Sequence, residues 1–205
     1  MVKPMTRPLI EFLFDFGSPN AYLVWKVLPD LARRHDADLR VVPCLLGGLF
    51  KLTGNQAPML AFAGVKGKLA YDRLEMQRFV ARHGLTRLVM NPHFPVNTLL
   101  MMRGLVVARH MGVEAAYIEA GLAAMWEDGR KMDDPAVFVA TLDAAGLNGA
   151  AILAATQDPD VKAELAAQTE TAAARGAFGI PTLFVDGEIY FGKERLSQIE
   201  EQLTA

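Results

Sequence analysis

The apolar positions of the chain fall into three regimes. Residues 10 to 16, IEFLFDF, form a short aromatic and branched run bounded by Gly17 and Pro19, the pattern of a buried strand. A helix is predicted directly after it. Ser18 is a favoured N-cap, Pro19 suits the first helical position, and Tyr22, Leu23, Trp25 and Leu28 continue without a breaker until Pro29, which must kink or divide the helix. DLRVVPCLL, residues 38 to 46, supplies a second strand, so the opening segment predicts a right-handed βαβ unit.

From about residue 57 to 176 the period becomes helical almost throughout. KLAYDRLEMQRFVARHG carries Leu69, Leu74, Met76, Phe79 and Val80 at near-helical spacing and stops on Gly84; residues 97–111, 113–127, 135–145 and 160–175 read the same way. Asp134 before Pro135 and Asp158 before Pro159 are helix-start signatures. Strand character returns only in TLFVDGEIYF, where Asp186-Gly187 between two β-rich runs predicts a hairpin, followed by an amphipathic segment over 193–203 that should pack on the sheet. The order β-α-β, helices, β-β-α places the two chain ends in one sheet. The predicted organisation is an α/β domain of residues 8–46 and 176–205, interrupted by an all-helical insertion over 47–175.

Composition narrows the function classes. The 205 residues are 52% hydrophobic and 21% charged, values of a globular chain with a real core. Basic and acidic residues number 21 and 23, with no basic run, which argues against nucleic acid as a partner. Cys44 is the single cysteine, so no internal disulfide or thiolate zinc site is available, and a reducing cytoplasm is the expected compartment. The N-terminal MVKPMTRPLI is too short and proline-broken for a secretory apolar region, and no apolar run reaches the roughly 18 residues of a membrane span. The histidines, at 35, 83, 93 and 110, form no ligand pair, so no metal is expected.

Two segments carry chemistry. Phe14-Asp15-Phe16-Gly17-Ser18-Pro19-Asn20 leads a strand through a tight turn into a helix start. Free backbone N–H groups and a serine hydroxyl there suit an anion, although a serine before proline is also a common cap with no chemistry. If the anion is a thiolate, a charge-assisted bond of about 1.5 to 3 kcal/mol adds to the helix-dipole effect, and the two together lower its pKa by roughly one to three units. Gly176-Ala177-Phe178-Gly179-Ile180-Pro181-Thr182 is the second segment, in which Ile180-Pro181 is a candidate cis bond. A cis bond would leave the backbone N–H and C=O of Ile180 open to an extended, peptide-like ligand, while a trans proline would merely start a strand.

Four ordered blocks, DFGSPNAY, LLGGLFKLTGNQAP, NPHFPVNTL and GAFGIPTLFVDGEIYFGKERL, together resemble the family of 2-hydroxychromene-2-carboxylate isomerases and kappa-class glutathione transferases, relatives of DsbA-type oxidoreductases. The resemblance spans about residues 10 to 203. It implies a thioredoxin-like fold with a helical insertion and glutathione as cofactor, its sulfur at Ser18 and its cysteinyl backbone at Ile180 and Pro181. Asn55 matches a family residue near glutathione and substrate. Lys193 and Glu194 stand where the family often has a small polar residue and an aspartate suited to the amino group of the tripeptide. The implied reaction interconverts 2-hydroxychromene-2-carboxylate and trans-o-hydroxybenzylidenepyruvate in aromatic degradation, by reversible addition of the thiolate to a small aromatic carboxylate substrate. A glutathione transferase or peroxidase is the alternative, and a non-catalytic thiol or peptide binder a more distant one. A homodimer is also implied.

The remaining polar residues are read one by one. Lys51 shares a loop with Asn55 and is either a substrate-carboxylate anchor or a solvated lysine. His93 is read as part of a rigid connector rather than as a base. Cys44 is read as a small buried hydrophobe, and Phe50, Met59, Phe62 and Trp126 as core or pocket wall. With GSPN in place of a C-x-x-C pair, dithiol exchange is excluded.

Overall fold

The computed structural model describes residues 7–204. The reading of the N-terminal decapeptide falls mostly on residues 1–6, outside the described residues.

Four strands form one mixed sheet in the order β2-β1-β3-β4. The aromatic run gives β1 (Leu9–Phe14), which lies parallel to β2 (Asp38–Pro43) and antiparallel to β3 (Thr182–Val185); β3 pairs antiparallel with β4 (Glu188–Phe191) across the predicted hairpin. Strand β1 is therefore central, and both chain ends meet in it, with Ile10 opposite Val185.

Pro29 divides the first helix as the sequence predicts. Helix α1 (Pro19–Trp25) stops four residues before it, because the proline ring clashes with the carbonyl four positions back and offers no N–H; α2 (Leu28–Arg34) restarts with Pro29 in its first turn. Strand β2 ends at Pro43 rather than at residue 46. Its next amides are taken by side chains: Leu45 N–H donates to Thr169 Oγ1 at 3.0 Å and Leu46 N–H to Asp15 Oδ2 at 2.7 Å. The chain thereby turns into α3 (Leu46–Thr53), a helix absent from the sequence reading.

Between β2 and β3 the backbone is otherwise helical: α4 (Pro58–Ala61), α5 (Lys68–His83), α6 (Leu99–His110), α7 (Glu114–Trp126), α8 (Pro135–Ala144), α9 (Gly149–Ala155) and α10 (Pro159–Ala174). Asp134 and Asp158 cap α8 and α10 through their carboxylates, with proline next, as expected; the short α9, capped by Asn148, was not anticipated. After β4 a 3-10 turn over Lys193–Arg195 leads into α11 (Leu196–Thr204), which buries Leu196 and Ile199.

A chain of edge-on aromatic contacts joins the sheet to α7 and α8. Ring centroids lie 4.8 Å apart for Phe14 and Phe16, 5.8 Å for Phe16 and Tyr117, and 6.2 Å for Tyr117 and Phe138. Such pairs add about 0.5 to 1.5 kcal/mol each beyond area burial. Trp126, fully buried as read, donates Nε1–H to the Phe16 carbonyl at 2.8 Å, and Gly121 leaves the space that the Phe16 ring fills. The turn carrying Ser18 is thus fixed from the helical side as well as from the sheet. Met59 and Phe62 depart from the reading as core: they are exposed, on a stretch between α3 and α5 that packs few of its apolar side chains, and Phe50 is half-buried.

Candidate active site

Ser18 ends a tight turn out of β1. Its N–H donates to the Asp15 carbonyl at 3.2 Å, and the turn is closed a second time by Gly17 N–H donating to Asp15 Oδ1 at 2.8 Å. The Ser18 side chain is buried and does two things at once. Its oxygen accepts from Ala21 N–H at 3.2 Å, capping α1, and its hydroxyl donates to the Ile180 carbonyl at 3.0 Å. Residues 162 positions apart in sequence are therefore in direct contact.

The Ile180-Pro181 bond is cis. The Ile180 carbonyl is not the open acceptor that the sequence reading gave it, because the Ser18 hydroxyl reaches it and Ile180 is 93% buried. Ile180 N–H has no hydrogen-bond partner among the described residues. Helix α1 is also short, seven residues, and a dipole effect confined to its first turn leaves the hydroxyl as the main local source of anion stabilisation.

Two further backbone contacts extend the site. Pro181 accepts Gly192 N–H at 3.0 Å, which brings Lys193 and Glu194 to the wall that begins at Ile180. Gly192 has a φ of 93°, a left-handed conformation that favours glycine, and the Glu194 carboxylate folds back over it. The buried Lys193 ammonium pairs with Glu194, and both line a cleft of about 570 Å³ between α2, α5 and α11 that also presents Lys26, Glu75, Arg78 and Arg82. On the other side, Asn55 Nδ2 donates to the Phe178 carbonyl at 2.7 Å, holding the loop after α3 against the segment that leads into Ile180. The exposed rings of Phe178 and Phe191 stand beside that contact with centroids 4.5 Å apart.

Ser18 and the Ile180-Pro181 segment are thus in direct contact, Asn55 is tied to that segment through the Phe178 carbonyl, and Lys193 and Glu194 follow Gly192 into a cleft that none of the other four residues lines. Lys51 does not join them through any contact: it lines a separate groove of about 340 Å³ between α3, α6 and α10, with Arg103 and Lys162. His93 is exposed and its N–H is held by Asn91 Oδ1, whose amide in turn bonds the Met125 and Arg130 carbonyls, the geometry of a connector. Cys44 is fully buried, and desolvation first, then the nearby Asp15, push its thiol up to about 12. Among the described residues no cluster of three metal-ligating side chains exists and no helix is long and apolar enough to cross a membrane.

Asp15 and Thr98 went unnoticed in the sequence. Asp15 is fully buried, and its carboxylate collects Gly17 N–H, Leu46 N–H and the Thr98 hydroxyl, the last at 2.7 Å. The available signal was an acid inside an aromatic run, a residue type almost never buried without partners.

The model of the DSBA-like thioredoxin domain matches residues 9–204. The chain belongs to the DsbA-like thioredoxin family. Among relatives of this DsbA-like chain, the 2-hydroxychromene-2-carboxylate isomerase of Pseudomonas putida is 26% identical over 95% of this chain and 94% of its own. Human glutathione S-transferase kappa 1 is also 26% identical, over 98% of this chain and 92% of its own. Among solved structures, a 2-hydroxychromene-2-carboxylate isomerase superposes with a TM-score of 0.82 at 26% identity, covering 96% of this chain and 94% of that one. A probable DsbA oxidoreductase from Streptomyces coelicolor, at 19% identity and a TM-score of 0.70, shares the fold. The similarity to isomerases supports an enzyme of isomerase type. A DsbA-like fold with one inert cysteine cannot run an internal dithiol exchange, because the second, resolving thiol is missing.

Proposed function

We propose that this chain is a glutathione-dependent isomerase acting on small aromatic carboxylates of the 2-hydroxychromene-2-carboxylate type, with Ser18 stabilising the glutathione thiolate. The observation that carries the reading is the 3.0 Å contact between the Ser18 hydroxyl and the carbonyl of the residue before the cis-proline. That pair fits a cysteinyl peptide by exchange. The Ile180 carbonyl and N–H would hold the cysteinyl backbone of such a ligand, and the Ser18 hydroxyl, released from that carbonyl, would donate to its sulfur. Ala21 N–H keeps the serine oxygen in place while its proton changes partner. When bound, glutathione supplies a nucleophilic sulfur that adds reversibly to the conjugated acid and is returned unchanged.

The chain's own residues do the rest. Lys193 and Glu194 present opposite charges beyond Pro181, suited to the zwitterionic γ-glutamyl end, and Asn55 fixes the Phe178 segment that leads into Ile180. Phe178 and Phe191 offer an exposed aromatic surface beside the site. Lys51 stands in the last turn of α3, not in a loop with Asn55, and with Arg103 and Lys162 it gives its groove a cationic lining suited to a substrate carboxylate. A homodimer in the cytoplasm belongs to the same reading.

A second reading, a kappa-class-like glutathione transferase or peroxidase, draws on the equal 26% identity to human glutathione S-transferase kappa 1. A spectrophotometric assay of 2-hydroxychromene-2-carboxylate isomerisation, with and without glutathione and with Ser18→Ala beside the wild type, separates the readings. Glutathione-dependent turnover that collapses in the variant is expected. Glutathione binding without turnover favours the transferase or a non-catalytic binder.

A further inference from the structure

Asp15 takes no part in the chemistry proposed above, yet it is the most heavily partnered buried carboxylate beside the site. Its two oxygens receive three donors from three separate parts of the chain: Gly17 N–H at 2.8 Å, the Thr98 hydroxyl at 2.7 Å and Leu46 N–H at 2.7 Å. Its backbone carbonyl holds Ser18 N–H as well. Gly17 and Ser18 therefore hang on one residue, the first by its side chain and the second by its main chain, so any rotation of the turn breaks both bonds. Thr98 opens α6 and Leu46 opens α3. The Ser18 turn is in this way tied to the starts of two insertion helices, and α3 carries that tie on to Asn55 and the Phe178 carbonyl.

The chemistry of the pattern is specific. Two of the three partners are backbone amides, which can only donate, and the third is a hydroxyl; a carboxylate accepts all of them, whereas a carboxamide turns an N–H toward at least one donor or gives up an acceptor. Burial holds the Asp15 carboxyl above its ordinary value and the three donors offset only part of that rise; no cation pairs with it among the described residues, and the titratable group that faces it is the Cys44 thiol, which is neutral. The steric fit is equally close, since a Cβ at Gly17 would stand 3.3 Å from both Asp15 Oδ1 and Thr98 Cγ2.

We propose that Asp15 is a positioning residue for Ser18, locking the 15–18 turn to α3 and α6 so that the residue-18 side chain is held between Ala21 N–H and Ile180. The proposal deepens the Ser18 reading above and rests on it for its catalytic consequence, but the positioning itself is measurable without glutathione.

Ser18→Cys puts a thiol at the end of the same turn, within reach of the Ala21 N–H that now caps the serine oxygen. The pH profile of its alkylation by iodoacetamide is measured with Asp15 present and with Asp15→Asn; Cys44, buried and protonated, gives no background. Loss of one charge-assisted bond to the thiolate makes the expected result about ten-fold less thiolate at a fixed pH below the pKa in the double variant. A purely electrostatic influence of the carboxylate has the opposite sign, since removing a nearby negative charge increases the thiolate fraction. That outcome, or a profile unchanged within about two-fold alongside a lowered Tm, overturns the proposal. If Asp15→Asn does not fold, Thr98→Val removes a single donor, is expected to move the profile in the same direction by less, and overturns the proposal if it leaves the profile unchanged. A calorimetric titration of the wild type with glutathione runs beside these. Failure of glutathione to bind removes the proposed function, while the alkylation profile still decides the role of Asp15.

Discussion

Ser18→Ala is expected to weaken the ligand-free protein and the reaction while sparing glutathione binding. The hydroxyl caps α1 through Ala21 N–H, and replacing a serine cap by alanine costs about 1 kcal/mol. The same hydroxyl satisfies the Ile180 carbonyl, which is buried and has no substitute donor; leaving it orphaned costs about 1 to 3 kcal/mol. Together the loss is about 2 to 4 kcal/mol, which in a domain of this size lowers Tm by roughly 4 to 16 °C. Bound glutathione offers its own N–H to that carbonyl, so it restores the second part of the loss but not the first. Thermal unfolding of both proteins, with and without saturating glutathione, reads the difference directly: the ligand-free variant should melt lower, the gain at Ile180 on binding should offset the lost bond to the sulfur so that glutathione stabilises both proteins by a similar amount, and turnover should fall about ten- to a hundred-fold for the missing bond to the thiolate. A ligand-free variant as stable as the wild type, or a variant that glutathione no longer stabilises at all, would refute the exchange of partners at Ile180.

Three further outcomes follow from other parts of the molecule. Cys44, with its thiol pushed up to about 12 by burial, should not react with a disulfide reagent at pH 8 in the native protein and should react fully in denaturant; native reaction within minutes would contradict its packing. The hydrogen bond from Arg175, with Arg40 assisting, holds the Glu11 carboxyl below its ordinary value, so its stabilisation is complete above the unfolded pKa near 4.3 and is lost as pH falls through the lower folded value. Glu11→Gln should therefore lower Tm at pH 7 and flatten its decline below about pH 4.5, which a pH series of melting curves checks. Asn55→Ala frees the Phe178 carbonyl and loosens the approach to Ile180, and is expected to raise the glutathione KM about 2- to 10-fold with little change in kcat; steady-state kinetics tests the split.

Much of the architecture was written in local signals. The aromatic run of β1, the Ser18-Pro19, Asp134-Pro135 and Asp158-Pro159 starts, the break at Pro29 and the Asp186-Gly187 hairpin are all short-range chemistry, and each is found where the sequence predicts it. Long-range polar contacts were not readable in this way. The end of β2 at Pro43 depends on Thr169 and Asp15 taking the next two amides, and nothing near residue 45 announces those partners. The same blindness applied at the site. Ser18 and Ile180 were singled out separately, but their mutual hydrogen bond, which makes each the other's occupant, is a property of the folded pair. Met59 and Phe62 show the opposite failure, since apolar character alone does not say whether a helix exists to cover it.

The meeting of the two chain ends in β1 has a consequence for how this protein is made. Ser18 leaves the ribosome 162 residues ahead of Ile180, so during synthesis the serine turn waits, without its partner carbonyl, for the later segment. The helices between β2 and β3, rich in nearby contacts, can assemble in that interval, whereas the central strand cannot acquire its antiparallel neighbour until residues 182–185 have been made. Any chain released before residue 180 lacks both a finished sheet and the carbonyl that the Ser18 hydroxyl bonds.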